Sequence, residues 1–380
     1  MTATQTITHH AFDVVVVGAG SAGIAAAVTA ADAGARTALV EAGSLLGGEL
    51  LTGMTIDGAI SAVGEQINGG FMDRLLDRCE AMGGFVRRLS DWRLIQYVAY
   101  DPEIMKMAIA QTVFESGVDV FLHSFAEDVV ARDGRVDGIM VRNKSGRALL
   151  SAKVFIDCSG DGDICAAAGA PMLPKPDHER LQPVSMMFRM AGVETAPLLD
   201  FVRAHPEYFA MGESDAIRGG RTDAEIADEI HRQGQPCVFI KGDGPLLGGA
   251  IDRKEMYPTA LIMIQPTSDR RKEVCVNSTR ITLDDPNSAA NVARALQEIM
   301  RQVEICSAFL RAQVPGFAEA NLSGLAPKLG IRETRRIEGD YILTADDVTV
   351  GRKFDDGVAK GCHHIDIHED GTGQTRIPIA

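Results

Sequence analysis

The 380-residue chain is long enough for two domains, and its 46% apolar and 24% charged residues are those of a folded globular protein. Acidic residues number 52 against 38 basic ones, a formal charge of −14 that disfavours nucleic acid and anionic membrane as partners. Seven cysteines, scattered without a CxxC pair, argue against a disulfide framework or a Cys-ligated iron–sulfur cluster; with no targeting segment visible, the expected location is the cytoplasm.

The first structured segment expected is Val14-Val15-Val16-Val17-Gly18-Ala19-Gly20-Ser21-Ala22-Gly23, a strand running into GxGxxG and then an alanine-rich helix. Gly18 permits the tight turn, Gly20 lets backbone approach a pyrophosphate, and Gly23 lets helix and sheet pack closely. The helix N-terminus adds free N–H groups and a positive dipole. A second strand over 36–40 ends on Glu41, whose carboxylate stands where a ribose diol is gripped. A lone GxGxxG is a weak signal; here strand, turn, helix, strand and acid follow in order and point to a dinucleotide.

The loop 42–58 carries Gly47-Gly48 and Gly53, and a helix is expected over 63–82. Asp101-Pro102 opens another helix as N-cap and first-turn residue, with Glu103 in the favourable dipole position, and Gly117 ends it. A strand over 118–122 leads to a meander with turns at Asp133-Gly134 and Ser145-Gly146. The strand 154–157 then enters Cys158-Ser159-Gly160-Asp161-Gly162-Asp163, read as a second phosphate or ribose site or as an Asp-Gly turn with a helix cap. Pro171, Pro174, Pro176 and Pro183 mark a domain crossing. Beyond it strands are expected over 184–190, 237–241, 261–265 and 273–277. A helix from about 286 to 313 should bury a stripe of Val292, Leu296, Ile299, Val303, Cys306 and Leu310. The predicted class is α/β. A Rossmann-type domain with a parallel central sheet and β-meander covers 1–170 with 331–380, and an inserted α+β substrate or cap domain covers 171–330.

Several segments carry a family resemblance: Phe12-Asp13-Val14-Val15-Val16-Val17-Gly18, Leu45-Leu46-Gly47-Gly48, Phe155 through Asp163, Leu329-Gly330-Ile331-Arg332-Glu333-Thr334-Arg335-Arg336-Ile337 and Gly339-Asp340-Tyr341. Together they resemble the FAD-dependent oxidoreductases among the two-dinucleotide-binding-domain flavoproteins, related to the flavin-binding part of heterodisulfide reductase. The resemblance covers nearly the whole chain, is specific for the cofactor and is nearly silent on substrate. It implies FAD, with Gly18, Ala19, Gly20, Ala22 and Gly23 along the pyrophosphate and Glu41 on the adenosine ribose. It places Gly47 and Gly48 beside the phosphates toward the flavin and the Ala126 backbone at adenine, with Ser159, Gly160 and Asp161 completing the site. The loop after Glu41 holds no cysteine for disulfide exchange and no histidine for covalent attachment, and no second NAD(P)H unit is visible. The family's final strand, glycine-arginine turn and helix around the flavin ring are expected to be missing beyond Pro378-Ile379-Ala380. A homo-oligomer or a complementing chain is the partner this implies.

Flavin chemistry leaves the protein to supply position, a proton route and charge near the ring. Dehydrogenating an alcohol or amine needs a base. In Cys362-His363-His364-Ile365-Asp366-Ile367-His368, a strand would put His364, Asp366 and His368 on one face and His363 on the other. His368 is the favoured base and His364 the second candidate; a hydrophilic edge or a divalent-metal site are the alternatives, and no metal is assigned. Arg332 and Arg336 would share a face opposite Arg335, ready for a carboxylate or a reduced anionic flavin, unless they pair with Glu333, Glu338 and Asp340. The expected function is an FAD-dependent dehydrogenase. It would pass hydride from a small polar, hydroxylated or carboxylated metabolite to non-covalently bound FAD, and the electron acceptor is not legible. The alternatives are a flavin monooxygenase or an incomplete or non-catalytic flavoprotein subunit that needs a partner chain.

Overall fold

A computed structural model describes residues 7–174, 181–369 and 371–377; Pro176 of the expected crossing and the terminal residues 378–380 lie outside them. Four parallel strands form the first sheet in the order Val154–Asp157, Val14–Val17, Thr37–Val40 and Asp119–Phe121. Both faces are covered, which is why its strands read as continuous apolar runs rather than alternating ones. Val16 and Leu39 face the helices Ser21–Asp32, Phe71–Ala81 and Pro102–Glu115. Their neighbours Val15, Val17, Ala38 and Val40 face a second sheet through Ile139, Val141 and Leu150. That second sheet is the expected meander, Phe125–Arg132, Arg135–Asn143 and Gly146–Ser151. It gains a strand not read from the sequence, Thr8–Ala11, which pairs in parallel with Gly146–Ser151 ahead of the expected first element.

Two expectations change in this half. The helix placed over 63–82 is confined to Phe71–Ala81, because Gly64 and Gly70 take positive φ before it. A three-stranded sheet of Ile56–Ile60, Gln96–Tyr100 and Val86–Ser90 was not expected. Gly58 and the pair Arg87-Arg88 interrupt its apolar alternation, although Tyr97, Val98, Ala99 and Tyr100 are all buried. The Asp101 cap is found as read: its side chain accepts from the N–H groups of Glu103 and Ile104 at 2.9 and 3.4 Å.

The second half is a five-stranded antiparallel sheet in the order Val238–Lys241, Leu261–Ser268, Glu273–Asn277, Phe188–Ala191 and Asn321–Leu325. Its inner side chains, among them Phe188, Met190, Ile262, Ile264, Val274 and Val276, pack with Ile299, Val303, Cys306 and Leu310 of the helix Ala289–Gln313. Leu296 leaves the expected stripe, 41% exposed, and Ala295 is buried instead. The stripe follows the 3.6-residue turn of a straight helix rather than a strict 4-3 repeat. Segment 331–377 touches both halves. Arg335 pairs with Asp163 at 2.6 Å and Ile337 bridges Met172, whereas the hairpin Ile365–His368/Gln374–Ile377 is held by Arg280, which donates to the carbonyl of Glu369 at 2.6 Å. No helix among the described residues is long and apolar enough to cross a membrane.

Candidate active site

The C-terminal ends of the parallel strands open into a groove of about 430 Å³ lined by Gly18, Gly20, Ser21, Ala22, Glu41, Gly43, Gly48, Glu49, Cys158, Ser159, Gly160 and Lys328, among others. Gly18 has φ +93°, and a Cβ there would lie 2.2 Å from the Cys158 carbonyl oxygen, so only glycine lets the two strand ends close up. A Cβ on Gly20 would meet nothing within 4 Å, which leaves an open cradle above the helix N-terminus. Helix Ser21–Asp32 has neither a side-chain cap nor an acid in its first turn, so its leading N–H groups and dipole are free for an anion. Glu41 is fixed by the N–H groups of Ala19 at 2.8 Å and Gly43 at 2.6 Å, one on each oxygen. Each carboxylate oxygen retains a second lone pair for a ribose hydroxyl. The groove thus fits a dinucleotide: glycine cradle for pyrophosphate, acid for ribose.

A cavity of about 340 Å³ adjoins the groove, and Glu49 lines both. Its walls come from Met54 and Asp57, the loop Asp91 to Ile95, Ser185 and Met187, Phe239 and Met263, Gly330 to Arg332, and His363, His364, Asp366, His368 and Gln374. His368 Nε2 lies 3.3 Å from Asp366, whose other oxygen accepts from Gln374 at 2.6 Å. Burial works against the Asp366 charge, but the hydrogen bond and charge of His368 and the Gln374 amide hold its carboxyl down at about 2. His364 is pushed down to about 4 by burial, then by the neighbouring His363, with Arg93 and His368 adding to it against the pull of Asp366. Asp91 is pushed up to about 6 by burial, against the pull of three backbone N–H groups and Arg93, and burial also raises Asp57. Arg93 Nη2, Ser185 Oγ, His364 Nδ1 and Gln374 Oε1 are buried here without a hydrogen-bond partner. Orphans are rare in folded proteins, and these four around one cavity take their partners, water or ligand, from the cavity itself.

Residues 13–379 match the FAD dependent oxidoreductase family. The chain belongs to that family. Its cofactor is FAD. Over 140 residues it is 31% identical to the thiamine thiazole synthase of Aeropyrum pernix, covering 35% of this chain and 44% of that protein, so the chain spans less than half of the curated relative it matches. Among solved structures, a geranylgeranyl bacteriochlorophyll reductase-like protein of Thermoplasma acidophilum is similar at 16% identity and a TM-score of 0.42, over 84% of this chain and 66% of that one. The myxobacterial chondrochloren halogenase is similar at 15% identity and a TM-score of 0.46, over 87% and 64%. Likenesses at these identities carry nothing about substrate.

Within this member of the family the expected cofactor residues divide. Gly18, Gly20, Ala22, Glu41, Gly48, Ser159 and Gly160 line the groove. Ala19 and Gly23 stand behind it: the first holds Glu41, and a Cβ on the second would meet the Gly18 carbonyl oxygen at 1.8 Å, the close helix–strand contact the motif requires. Gly47 is likewise behind, its N–H bonded to the Ala19 carbonyl at 2.7 Å. Ala126 lies in the strand Phe125–Arg132, packed toward the inter-sheet core and outside the groove lining. Asp161 is outside the groove lining and accepts from Thr334 Oγ1 at 2.6 Å; the N-cap of helix Asp163–Ala167 is Gly162, and the first-turn N–H groups of Ile164 and Cys165 are taken from outside the helix by Asp157 at 3.0 Å.

Of the catalytic candidates, His368, His364 and Arg332 share the cavity. Arg332 donates to the Pro183 carbonyl at 2.7 Å, and burial, then the neighbouring Arg280, lower its pKa. Arg336 is a correction: segment 331–336 is not a strand, so the expected alternation fails, and Arg336 is exposed and paired with Glu333 at 3.4 Å. His363, expected on the opposite face, precedes the strand Ile365–His368 and lines the cavity as well, its ring stacked on His364 with centroids 4.2 Å apart. Arg93, Ser185 and Gln374 were not read from the sequence. No group of three or more His, Cys, Asp or Glu among the described residues is placed to hold a metal.

Proposed function

We propose that the chain is a dehydrogenase that takes hydride from a small polar metabolite, hydroxylated or carboxylated. The observation that carries this reading is the Asp366–His368 pair in a cavity that shares the wall residue Glu49 with the nucleotide groove. FAD held in that groove supplies the hydride acceptor. Glu41 would hold its ribose, and the uncapped helix N-terminus its phosphates. His368 turns Nε2 to Asp366 and leaves Nδ1 without a partner among the described residues. A substrate hydroxyl or amine proton passing to Nδ1 makes an imidazolium, which the ionised Asp366 stabilises and orients. His364, held near 4, stays neutral at physiological pH and keeps its unpartnered Nδ1 for a hydrogen bond. Met54, Leu94, Ile95, Met187, Phe239 and Met263 supply the apolar wall that limits water at the reacting centre.

Anaerobic addition of small alcohols and hydroxy acids to the FAD-loaded protein should bleach the flavin absorbance. His368→Gln should slow bleaching by about 10²–10⁴-fold, the usual worth of a positioned base, while FAD affinity stays near that of the parent. A protein that no such compound reduces, or a His368→Gln variant that bleaches at the parent rate, would overturn the reading.

A further inference from the structure

Beside the histidines and Arg332, the cavity presents a second arginine, whose buried Nη2 is unfilled. Arg93 is 5% exposed. Its Nε donates to Glu213 at 2.9 Å, and its guanidinium carbon lies 5.1 Å from the centroid of Phe239, so the plane of the fork is set. No described residue accepts from Nη1 or Nη2, and Nη2 is buried. Glu213 cannot balance it alone, because its other oxygen is taken by Arg376.

The acids of the wall are otherwise engaged. Asp91 Oδ1 accepts from the N–H groups of Arg93, Leu94 and Ile95 at 2.8, 2.8 and 3.0 Å. Asp57 Oδ1 accepts from Thr55 at 2.7 Å, Asp366 is held by His368 and Gln374, and Glu49 pairs with Lys328 at 3.1 Å. A buried Nη2 without an acceptor is costly unless something takes it, and a carboxylate can take Nη2 and the adjacent Nη1 at once.

We propose that Arg93 anchors a carboxylate of the substrate, whose apolar body lies along Phe239, Met263 and Leu94. This rests on reading the cavity as the substrate site. The assignment makes Arg93 a specificity-determining residue: it selects acids over alcohols and amides of the same shape, and it holds the body of the ligand beside His368.

The test reads binding rather than turnover. Acetate, isovalerate, benzoate and phenylacetate, each beside its primary amide, are titrated into the FAD-loaded full chain and followed by melting temperature. At least one acid should raise the melting temperature where its amide does not. Arg93→Gln should weaken that acid by about a hundredfold, and Arg93→Lys, which keeps the charge but not the fork, by about tenfold. No acid binding, an amide binding as well as its acid, or Arg93→Gln binding like the parent each overturns the proposal. If Arg93→Gln fails to fold, the acid–amide comparison and Arg93→Lys still decide it. Acids that bind through Arg93 while no hydroxylated acid bleaches the flavin would sink the dehydrogenase reading and leave this one standing.

Discussion

Two charged clusters, each built around buried groups, sit where the halves of the molecule meet, and they are finished differently. In the first, Arg271 forks onto Asp101 with two bonds of 2.9 Å and reaches Glu273 at 3.0 Å, while Arg189 takes Glu103 at 2.6 Å and Glu273 at 3.4 Å. Glu273 also accepts from Thr267 at 2.9 Å and Ser323 at 2.8 Å. Apart from Arg189 Nε, each buried side-chain donor and acceptor of that group has a partner. In the second, around the cavity, Arg93, Ser185, His364 and Gln374 each keep a buried polar atom with none. Burial alone does not separate structure from function here. A saturated cluster fastens the Asp101 cap of helix Pro102–Glu115, in the nucleotide half, to the five-stranded sheet; an unsaturated one leaves polar atoms open to a partner from the cavity.

Breaking the saturated cluster should have the largest effect. Glu273 is 3% exposed, and Glu273→Ala leaves two guanidinium groups short of their shared carboxylate. A loss of about 3–5 kcal/mol is expected, seen as a melting temperature lower by several degrees. A variant melting within about a degree of the parent would show that the cluster does not fasten the halves.

The same contrast governs what the sequence discloses. The nucleotide groove was legible because its determinants are contiguous: strand, Gly18, Gly20, Gly23 and helix lie in one stretch, and Glu41 ends the neighbouring strand. The Asp101-Pro102 cap was legible for the same reason. The cavity was not, because its members come from positions 49, 57, 91–95, 185, 239, 332 and 363–374, and no local pattern joins them. Arg93 acquires its setting from Glu213, 120 residues away. Arg336 was misplaced by applying strand alternation to a segment that is not a strand, and Leu296 by extending a strict 4-3 repeat along a straight helix.

Acidification separates the members of the unfilled cluster. His364, lowered from 6.5 to about 4, binds fewer protons folded than unfolded across that window, so its contribution to stability is lost as pH falls through it. Asp91, raised from 3.8 to about 6, binds more protons folded than unfolded, so its contribution is full below 3.8 and is lost as pH rises through about 6. The two slopes oppose each other between about 4 and 6. His364→Gln removes the first, and its melting temperature relative to the parent should improve on acidification from pH 7 to pH 4.5. Asp91→Asn keeps the Oδ1 acceptor for the backbone but removes the second, and should lose ground over the same range. Parallel pH profiles for parent and both variants would show that neither group is held as described.

The smallest effects give the sharpest comparison, because one chemical change can be made in both clusters. Thr267 is fully buried and its hydroxyl donates to Glu273 at 2.9 Å; Ser185 is 1% exposed and its hydroxyl has no partner. Thr267→Val removes a donor from a buried carboxylate and should cost about 1–2 kcal/mol. Ser185→Ala removes a hydroxyl that is desolvated for nothing in the ligand-free protein, and should be neutral or stabilise it by up to about 1 kcal/mol. Melting temperatures of the two variants, measured without FAD or added acid, should therefore move in opposite directions from the parent, or Ser185→Ala should stay level while Thr267→Val falls. A fall in both would mean that Ser185 already has its partner in the free protein. The cavity would then be one more saturated cluster, and the orphaned atoms would no longer point to a ligand.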